Sequence, residues 1–155
     1  MARVAFLQNI WFEWLGVMYL SSVLKKEGHD TDIFIGGKEK ILRELKSYNP
    51  DIIAVSLMGI QNDWLKDVAA GLRASDFKQP IIVGGPEASY APEEVIGMEG
   101  VNAICIGEGE GTMKDFVEAV EKKEKYDDIA NLWIKKNSNG TTEIIKNEVR
   151  KLEND

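Results

Sequence analysis

Two short apolar runs, each followed at once by glycines, constrain the fold of this 155-residue chain more than any other feature. One run occupies residues 80–83 and leads into GGPE at 84–87. The other occupies residues 101–106 and leads into GEGEG at 107–111. An apolar run that ends at glycine is typical of a central parallel strand where it leaves its sheet. Glycine accepts positive φ there and lets a ligand approach bare backbone, so two such turns predict a sheet edge shaped to hold a ligand.

Strand and helix patterns alternate along most of the chain. Strands are predicted at residues 3–7, 31–35, 52–57, 81–83 and 103–106. Apolar residues at helical spacing follow each of them. Five βα units in a row predict an α/β fold, a doubly wound five-stranded parallel sheet with helices on both faces, because each crossover is right-handed. The strand order that best fits five strands is 2-1-3-4-5, which is flavodoxin-like and Rossmann-like.

The pattern changes after residue 128. The runs LWI at 132–134 and TEII at 142–145 flank the turn sequence NSNG at 137–140, which predicts an antiparallel β-hairpin. We expect it to extend one edge of the sheet. The chain then divides into an α/β domain at 1–128, a hairpin extension of the same domain at 129–148, and a linker or tail at 149–155.

Composition excludes several classes of function. The net charge of −7 argues against nucleic acid or an anionic membrane as the main partner, because both need clustered Lys and Arg. One cysteine rules out an internal disulfide and favours the reducing cytoplasm. No apolar stretch is long enough to cross a membrane, and the first strand begins at Arg3, so no signal peptide is predicted.

The predicted ligand edge is the one at the carboxyl ends of the strands, where open parallel sheets bind ligands. Glycine occurs in four of the five loops there, at 36–38, 57–62, 84–90 and 107–112. Glu108 and Glu110 flank the start of a predicted helix. Their carboxylates would either complement the helix dipole or mark a loop whose free N–H groups bind a polar ligand.

The fifth loop contains Trp11, Phe12 and Trp14 instead of a glycine-rich phosphate loop. Aromatic side chains near a helix start usually pack into the core. Three of them could also form an apolar floor under a flat ligand or a patch for a partner domain. The single histidine, His29, precedes the second strand at the opposite edge and is expected to be structural or exposed. Cys105 lies inside an apolar strand, where it is expected to act as a small buried hydrophobe.

An ordered set of fragments resembles the N-terminal cobalamin-binding domain of B12-dependent radical S-adenosylmethionine (SAM) proteins. The fragments are VAFL at 4–7, LGVMYL at 15–20, GH at 28–29, NPDIIAVS at 49–56, IVGGPE at 82–87 and IGEGEGT at 106–112. The likeness covers about residues 3 to 135. It implies a corrinoid on the carboxyl edge of the sheet, with its nucleotide tail in a slot beside the strands.

In that fold a Ser-x-Leu after the third strand and a Gly-Gly after the fourth line the slot. Ser56 stands at the first motif, although Met58 replaces its leucine, and Gly84 and Gly85 match the second. A Gly85→Trp substitution is expected to block the slot and leave the fold largely intact. The cofactor-binding residues implied are Trp11, Phe12, Trp14, Ser56, Leu57, Met58, Gly84, Gly85, Pro86, Glu87, Gly107, Glu108, Gly109 and Glu110.

Many cobalamin carriers ligate cobalt with a histidine in an Asp-x-His-x-x-Gly motif after the first strand. Residues 9–16 occupy that place here and contain no histidine. The resemblance therefore implies base-off, His-off cobalamin whose cobalt faces an apolar side chain from residues 11–14 or Met58.

A single cysteine cannot hold the 4Fe–4S cluster of a radical SAM enzyme. The cluster and SAM would belong to a radical SAM barrel domain C-terminal to this chain. We therefore expect a cofactor module that supports methyl transfer or a related radical reaction and is not catalytic alone. Two alternatives stay open. One is a flavodoxin-like domain that binds a flavin or another nucleotide. The other is a cofactor-free interaction domain.

Overall fold

The seven strands in the described part of the chain form one sheet with the order β2-β1-β3-β4-β5-β6-β7 in a computed structural model, which describes residues 1–150. The strands are β1 (Arg3–Gln8), β2 (Asp30–Ile35), β3 (Ile52–Ser56), β4 (Ile81–Gly84), β5 (Ala103–Cys105), β6 (Leu132–Ser138) and β7 (Thr141–Lys146). The first five are parallel, and β6 and β7 are antiparallel to their neighbours. The predicted order 2-1-3-4-5 and the added hairpin are both confirmed.

Six helices connect or flank these strands. They are α1 (Leu15–Lys26), α2 (Lys38–Tyr48), α3 (Asn62–Ala74), α4 (Pro86–Tyr90), α5 (Pro92–Gly97) and α6 (Glu110–Lys122), all within residues 1–150. Helix α4 and a short 3-10 turn at Gly59–Gln61 are additions to the predicted elements. No helix in the described range has the length and apolar character that a membrane span requires.

Helices cover both faces of the sheet because its strand residues alternate between two hydrophobic clusters. On β3, Ile53 and Val55 pack into the first cluster, and Ile52 and Ala54 pack into the second. Helices α2, α3 and α5 contribute to the first cluster, whereas α1 and α6 contribute to the second. This period of two along buried parallel strands is the doubly wound arrangement that the sequence predicts.

The hairpin extends the β5 edge and runs away from the carboxyl ends of the parallel strands. Leu132 pairs with Cys105 and Ile134 with Ala103, so β6 travels in the direction opposite to β5. The turn has positive φ at both Asn139 and Gly140, with values of 50° and 76°. This is the primed turn that an Asn-Gly pair favours. Of the predicted tail, residues 151–155 lie outside the described part of the chain.

Candidate functional site

A cavity of about 200 Å³ opens at the carboxyl ends of the parallel strands, between the sheet and the α1–α6 layer. Seven residues predicted from the sequence line it, namely Ser56, Gly84, Gly85, Gly107, Glu108, Gly109 and Glu110. Other lining residues were not predicted, among them Phe6, Val17, Leu20, Ala54, Cys105 and Met113. The predicted edge of the sheet is therefore the edge that carries the cavity.

Small side chains on one sheet face create the cavity. Ser56 on β3 pairs directly with Gly84 on β4, and Ala54 precedes them on the same face. Cys105 occupies the adjoining position on β5. These side chains are too short to fill the space below α1 and α6, and protein interiors otherwise leave few voids larger than a water molecule. The run of small residues therefore leaves this space open.

Glycine occupies positions 84 and 85 for different structural reasons. A Cβ on Gly84 would lie 3.8 Å from the Cys105 Cβ, which is ordinary contact. Gly85 has φ of 91°, and a Cβ there would lie 2.8 Å from the Leu57 backbone nitrogen. Glycine at 85 is thus required by the turn between β4 and α4. The expectation that Gly85→Trp would leave the fold intact is wrong for this reason.

The loop between β5 and α6 forms one wall of the cavity. Gly107 turns the chain with φ of 78°, and Gly109 approaches Leu20 of α1, with 3.5 Å between its Cβ position and Leu20 Cδ2. Glu110 is the first residue of α6, whose first-turn N–H groups have no partners within the helix. A polar group at the mouth of the cavity would find backbone donors in this wall.

The aromatic residues of the first loop lie outside the cavity lining. Trp11 is 87% exposed and Phe12 is 62% exposed. Trp14 is partly buried, packs on the second hydrophobic cluster and makes an edge-to-face contact with Phe12 at a 5.6 Å centroid distance. The packing alternative therefore describes Trp14, whereas Trp11 and Phe12 remain available at the rim.

Four more predicted residues also lie away from the cavity lining. Leu57 is fully buried in the first hydrophobic cluster, on the other face of the sheet. Met58 is partly exposed beside it. Pro86 begins α4, and the Glu87 N–H donates to the Leu57 carbonyl at 3.1 Å. These four residues form the turns that follow β3 and β4.

A polar contact between two rim loops was not predicted from the sequence. Gln61 is buried, and its Nε2 donates to Asn9 Oδ1 at 2.6 Å. Its Oε1 accepts a hydrogen bond from the Met58 N–H at 3.0 Å. Gln61 therefore fixes the loop after β1 against the loop after β3. Nothing in the local pattern distinguishes it from an ordinary surface glutamine.

The deeper part of the cavity is apolar and neutral. Phe6, Ile82 and Met113 contribute to its lining. Burial raises the pKa of the Cys105 thiol to about 11, so this side chain is uncharged at neutral pH. Ser56 supplies a hydroxyl beside these groups. The chemistry fits a flat, neutral group with one polar edge.

His29 lies at the opposite edge of the sheet. Its Nδ1 accepts a hydrogen bond from the Ala2 N–H at 3.2 Å. Burial, and then the charge of the N-terminal amino group, lower the pKa of His29. Within residues 1–150 no three His, Cys, Asp or Glu side chains lie close enough to hold a metal ion.

The family model for the B12 binding domain matches residues 11–117. This chain belongs to the B12-binding domain family. An uncharacterized methyltransferase of Pyrococcus horikoshii is 29% identical over 129 residues, which span 79% of this chain and 28% of the relative. The resemblance identified from the sequence fragments is thereby confirmed.

Solved structures with the same fold include the cobalamin-dependent radical SAM enzyme OxsB with aqua-cobalamin and SAM bound. It matches with a TM-score of 0.77 and 21% identity over 98% of this chain and 23% of its own. TsrM from Kitasatospora setae, a radical SAM methyltransferase with cobalamin and a 4Fe–4S cluster bound, matches with a TM-score of 0.73. It is 16% identical over 99% of this chain and 30% of its own. This B12-binding domain thus spans less than a third of these longer proteins.

Proposed function

We propose that this chain is the cobalamin-binding module of a B12-dependent radical SAM enzyme. The observation that carries the proposal is the cavity between the sheet and the α1–α6 layer, which the neighbouring residues Ser56 and Gly84 line. The family and the fold agree with a cobalamin site at this edge. One free cysteine agrees with a place in the reducing cytoplasm.

The size of the cavity limits which part of the cofactor enters it. Its volume of about 200 Å³ is below the range of roughly 300–1,000 Å³ that is typical of sites for whole drug-sized ligands. One aromatic heterocycle fits such a space, but a corrin ring does not. We therefore place the nucleotide base of cobalamin in the cavity, with the Ser56 hydroxyl at its polar edge, and the corrin over the rim.

The rim offers apolar side chains to a flat ring. Ile10, Phe12 and Met58 are exposed on the loops that follow β1 and β3. Burying such side chains against a corrin face is favourable by roughly 25 cal/mol per Å² of apolar area. These residues are the candidates to lie below the corrin, and the Asn9–Gln61 contact holds their two loops in place.

The module would bind its cofactor without a protein histidine below cobalt. The single histidine of the chain lies at the opposite edge of the sheet, hydrogen-bonded to Ala2. Bound cobalamin supplies a cobalt centre that can carry a methyl group. This chain's residues bind and orient the cofactor and exclude water from its base. The 4Fe–4S cluster and SAM belong to a radical SAM barrel domain elsewhere in the full enzyme, so the module alone is not catalytic.

Binding of hydroxocobalamin to the purified chain tests the proposal. A mixture that is desalted should remain red, with a spectrum that shows the base-off form. Gly84→Leu should lose retention because the new side chain fills the cavity, whereas Gly84→Ala, which adds one methyl group at an ordinary contact distance, is the matched control. A colourless wild-type protein contradicts the proposal, and a yellow one as purified favours the flavin alternative.

A further inference from the structure

Asn131 is a buried polar residue that the cofactor site described above does not use. It is 1% exposed and directly precedes β6. Its φ is 68°, in the left-handed region that Asn tolerates better than most residues. Burial of a primary amide is unfavourable unless its donors and acceptors are paired, so the partners of Asn131 define its role.

One set of partners belongs to the cavity wall. The Asn131 Nδ2 donates to the Glu108 carbonyl at 2.9 Å. The Asn131 carbonyl accepts from the Ile106 N–H at 2.9 Å. These two bonds lie on either side of Gly107, where the wall turns. Asn131 therefore holds the wall in place from outside the cavity.

The second set of partners belongs to the segment that follows β7, which we call the exit segment and define as residues 148–150. The Asn131 Oδ1 accepts from the Arg150 N–H at 2.6 Å. The Asn131 N–H donates to the Glu148 carbonyl at 2.9 Å. The Arg150 side chain also pairs with Asp115 on α6. The exit segment thus lies along the outside of the same wall.

We infer that Asn131 is a positioning residue that couples the cavity wall to the exit segment, so that cobalamin binding and docking of this segment strengthen each other. The inference rests on the proposed function. A single amide donates to the wall through Nδ2 and accepts from the segment through Oδ1, so displacement of either partner disturbs the other. Coupling between two sites is reciprocal by thermodynamic necessity. The exit segment thereby responds to occupancy of the cavity.

Asn131→Gly tests the inference because glycine keeps the left-handed backbone and both backbone hydrogen bonds while it removes the amide. The matched control is Asn139→Gly, which makes the same change at another left-handed asparagine, with φ of 50°, in the exposed hairpin turn. Affinity for hydroxocobalamin is measured by titration, and hydrogen exchange by mass spectrometry follows the exit segment with and without the cofactor.

Hydroxocobalamin should slow exchange of the exit segment in the wild type. In Asn131→Gly this protection should disappear, and the dissociation constant should rise about tenfold, within the range typical of coupled sites. Asn139→Gly should behave like the wild type. The inference is overturned if the cofactor does not change the hydrogen-exchange rate of the exit segment in the wild type. It is also overturned if Asn131→Gly binds hydroxocobalamin with the affinity of the wild type.

A hydrogen-exchange experiment without cofactor tests this inference independently of the proposed function. Arg150→Pro removes the N–H that binds Asn131, whereas Arg150→Ala removes only the side chain and its pairing with Asp115. Coupling predicts faster exchange of amides 107–110 in Arg150→Pro than in Arg150→Ala. Equal exchange in the two variants overturns the inference. Failure of the wild type to bind hydroxocobalamin would contradict the proposed function, while the Arg150 pair would still test the coupling.

Discussion

At the scale of single residues, two neighbouring glycines show how much a motif reveals and where it misleads. The Gly-Gly resemblance assigns Gly84 and Gly85 to cofactor binding, and both residues line the cavity. It does not reveal that Gly84 faces the cavity while Gly85 serves the turn against Leu57. That difference depends on φ and on the close approach of two loops, and neither quantity is visible in the order of residues.

A pair of alanine substitutions measures this difference. Gly85→Ala should lower the free energy of unfolding by about 1–3 kcal/mol because it places a Cβ in the left-handed region and against backbone atoms. Gly84→Ala should leave stability close to that of the wild type. Urea unfolding of both variants gives the comparison, and equal losses would contradict the distinct roles of the two positions.

His29 makes stability depend on pH through its surroundings. Its Nδ1 accepts the Ala2 N–H, so the ring is neutral although the Glu121 carboxylate lies 3.5 Å from the same nitrogen. Glu121 is paired with the N-terminal amino group instead. Nearby Glu27 and Glu118 raise the pKa of His29, but burial outweighs them and lowers it below the usual 6.5.

Because the folded-state pKa of His29 is lowered, the unfolded chain takes up a proton first as the pH falls. The stability that neutral His29 contributes is therefore present above pH 6.5 and is lost as the pH falls from 6.5 toward the folded-state pKa. The difference in unfolding free energy between wild type and His29→Gln should shrink between about pH 7.5 and about pH 5.5. A difference that stays constant would show that His29 does not titrate in this way.

At the scale of elements, the strands and most of the helices were predictable, whereas helix α4 and the 3-10 turn at Gly59–Gln61 were not. Five buried runs with helical patterns between them determine the parallel sheet, and Asn139-Gly140 determines the hairpin turn. Helix α4 was missed because Pro86 directly follows two glycines, a sequence that resembles a loop although proline is favourable at the first helical position.

The sequence also does not show which of the buried side chains line the cavity and which are packed on all sides. Alternation along β1 assigns Phe6 to one face of the sheet, but it does not show that the Phe6 side chain lines a cavity. The same holds for Met113 on α6, which helical spacing turns inward. The direction of the first loop is not visible in the sequence either, and Trp11 lies outside the cavity lining with 87% of its surface exposed.

The hairpin turn provides an element-scale test that separates stability from ligand binding. Gly140 has φ of 76°, and within residues 1–150 no atom other than those of Gly140 and its chain neighbours lies within 4 Å of the position that a Cβ would take. Gly140→Ala should therefore cost about 1 kcal/mol through backbone conformation alone. Because the turn lies at the edge opposite the cavity, the affinity for hydroxocobalamin should not change. Thermal unfolding and a binding titration check both statements, and weakened binding would contradict this separation.

At the scale of the whole molecule, the edge that carries the cavity is also unusually apolar. Trp11 in the first loop, Ile60 in the 3-10 turn and Tyr90 at the end of α4 are each more than four-fifths exposed at this edge. Longer relatives, of which this domain is less than a third, have further chain to place against such an edge. Under the proposed function, a corrin and a partner domain together would cover these side chains, because exposed apolar patches typically mark interaction sites.

The central claim, that the nucleotide base of cobalamin enters the cavity, is tested most directly by modification of Cys105. This thiol lies on the cavity wall, and its pKa of about 11 instead of 9.0 leaves about 100-fold less reactive thiolate. Its slow reaction with a small neutral thiol reagent is followed by mass spectrometry. Hydroxocobalamin should slow the reaction further, whereas cobinamide, which has the corrin but no nucleotide, should not. Equal rates with and without bound cobalamin, or equal protection by cobinamide, would contradict the account.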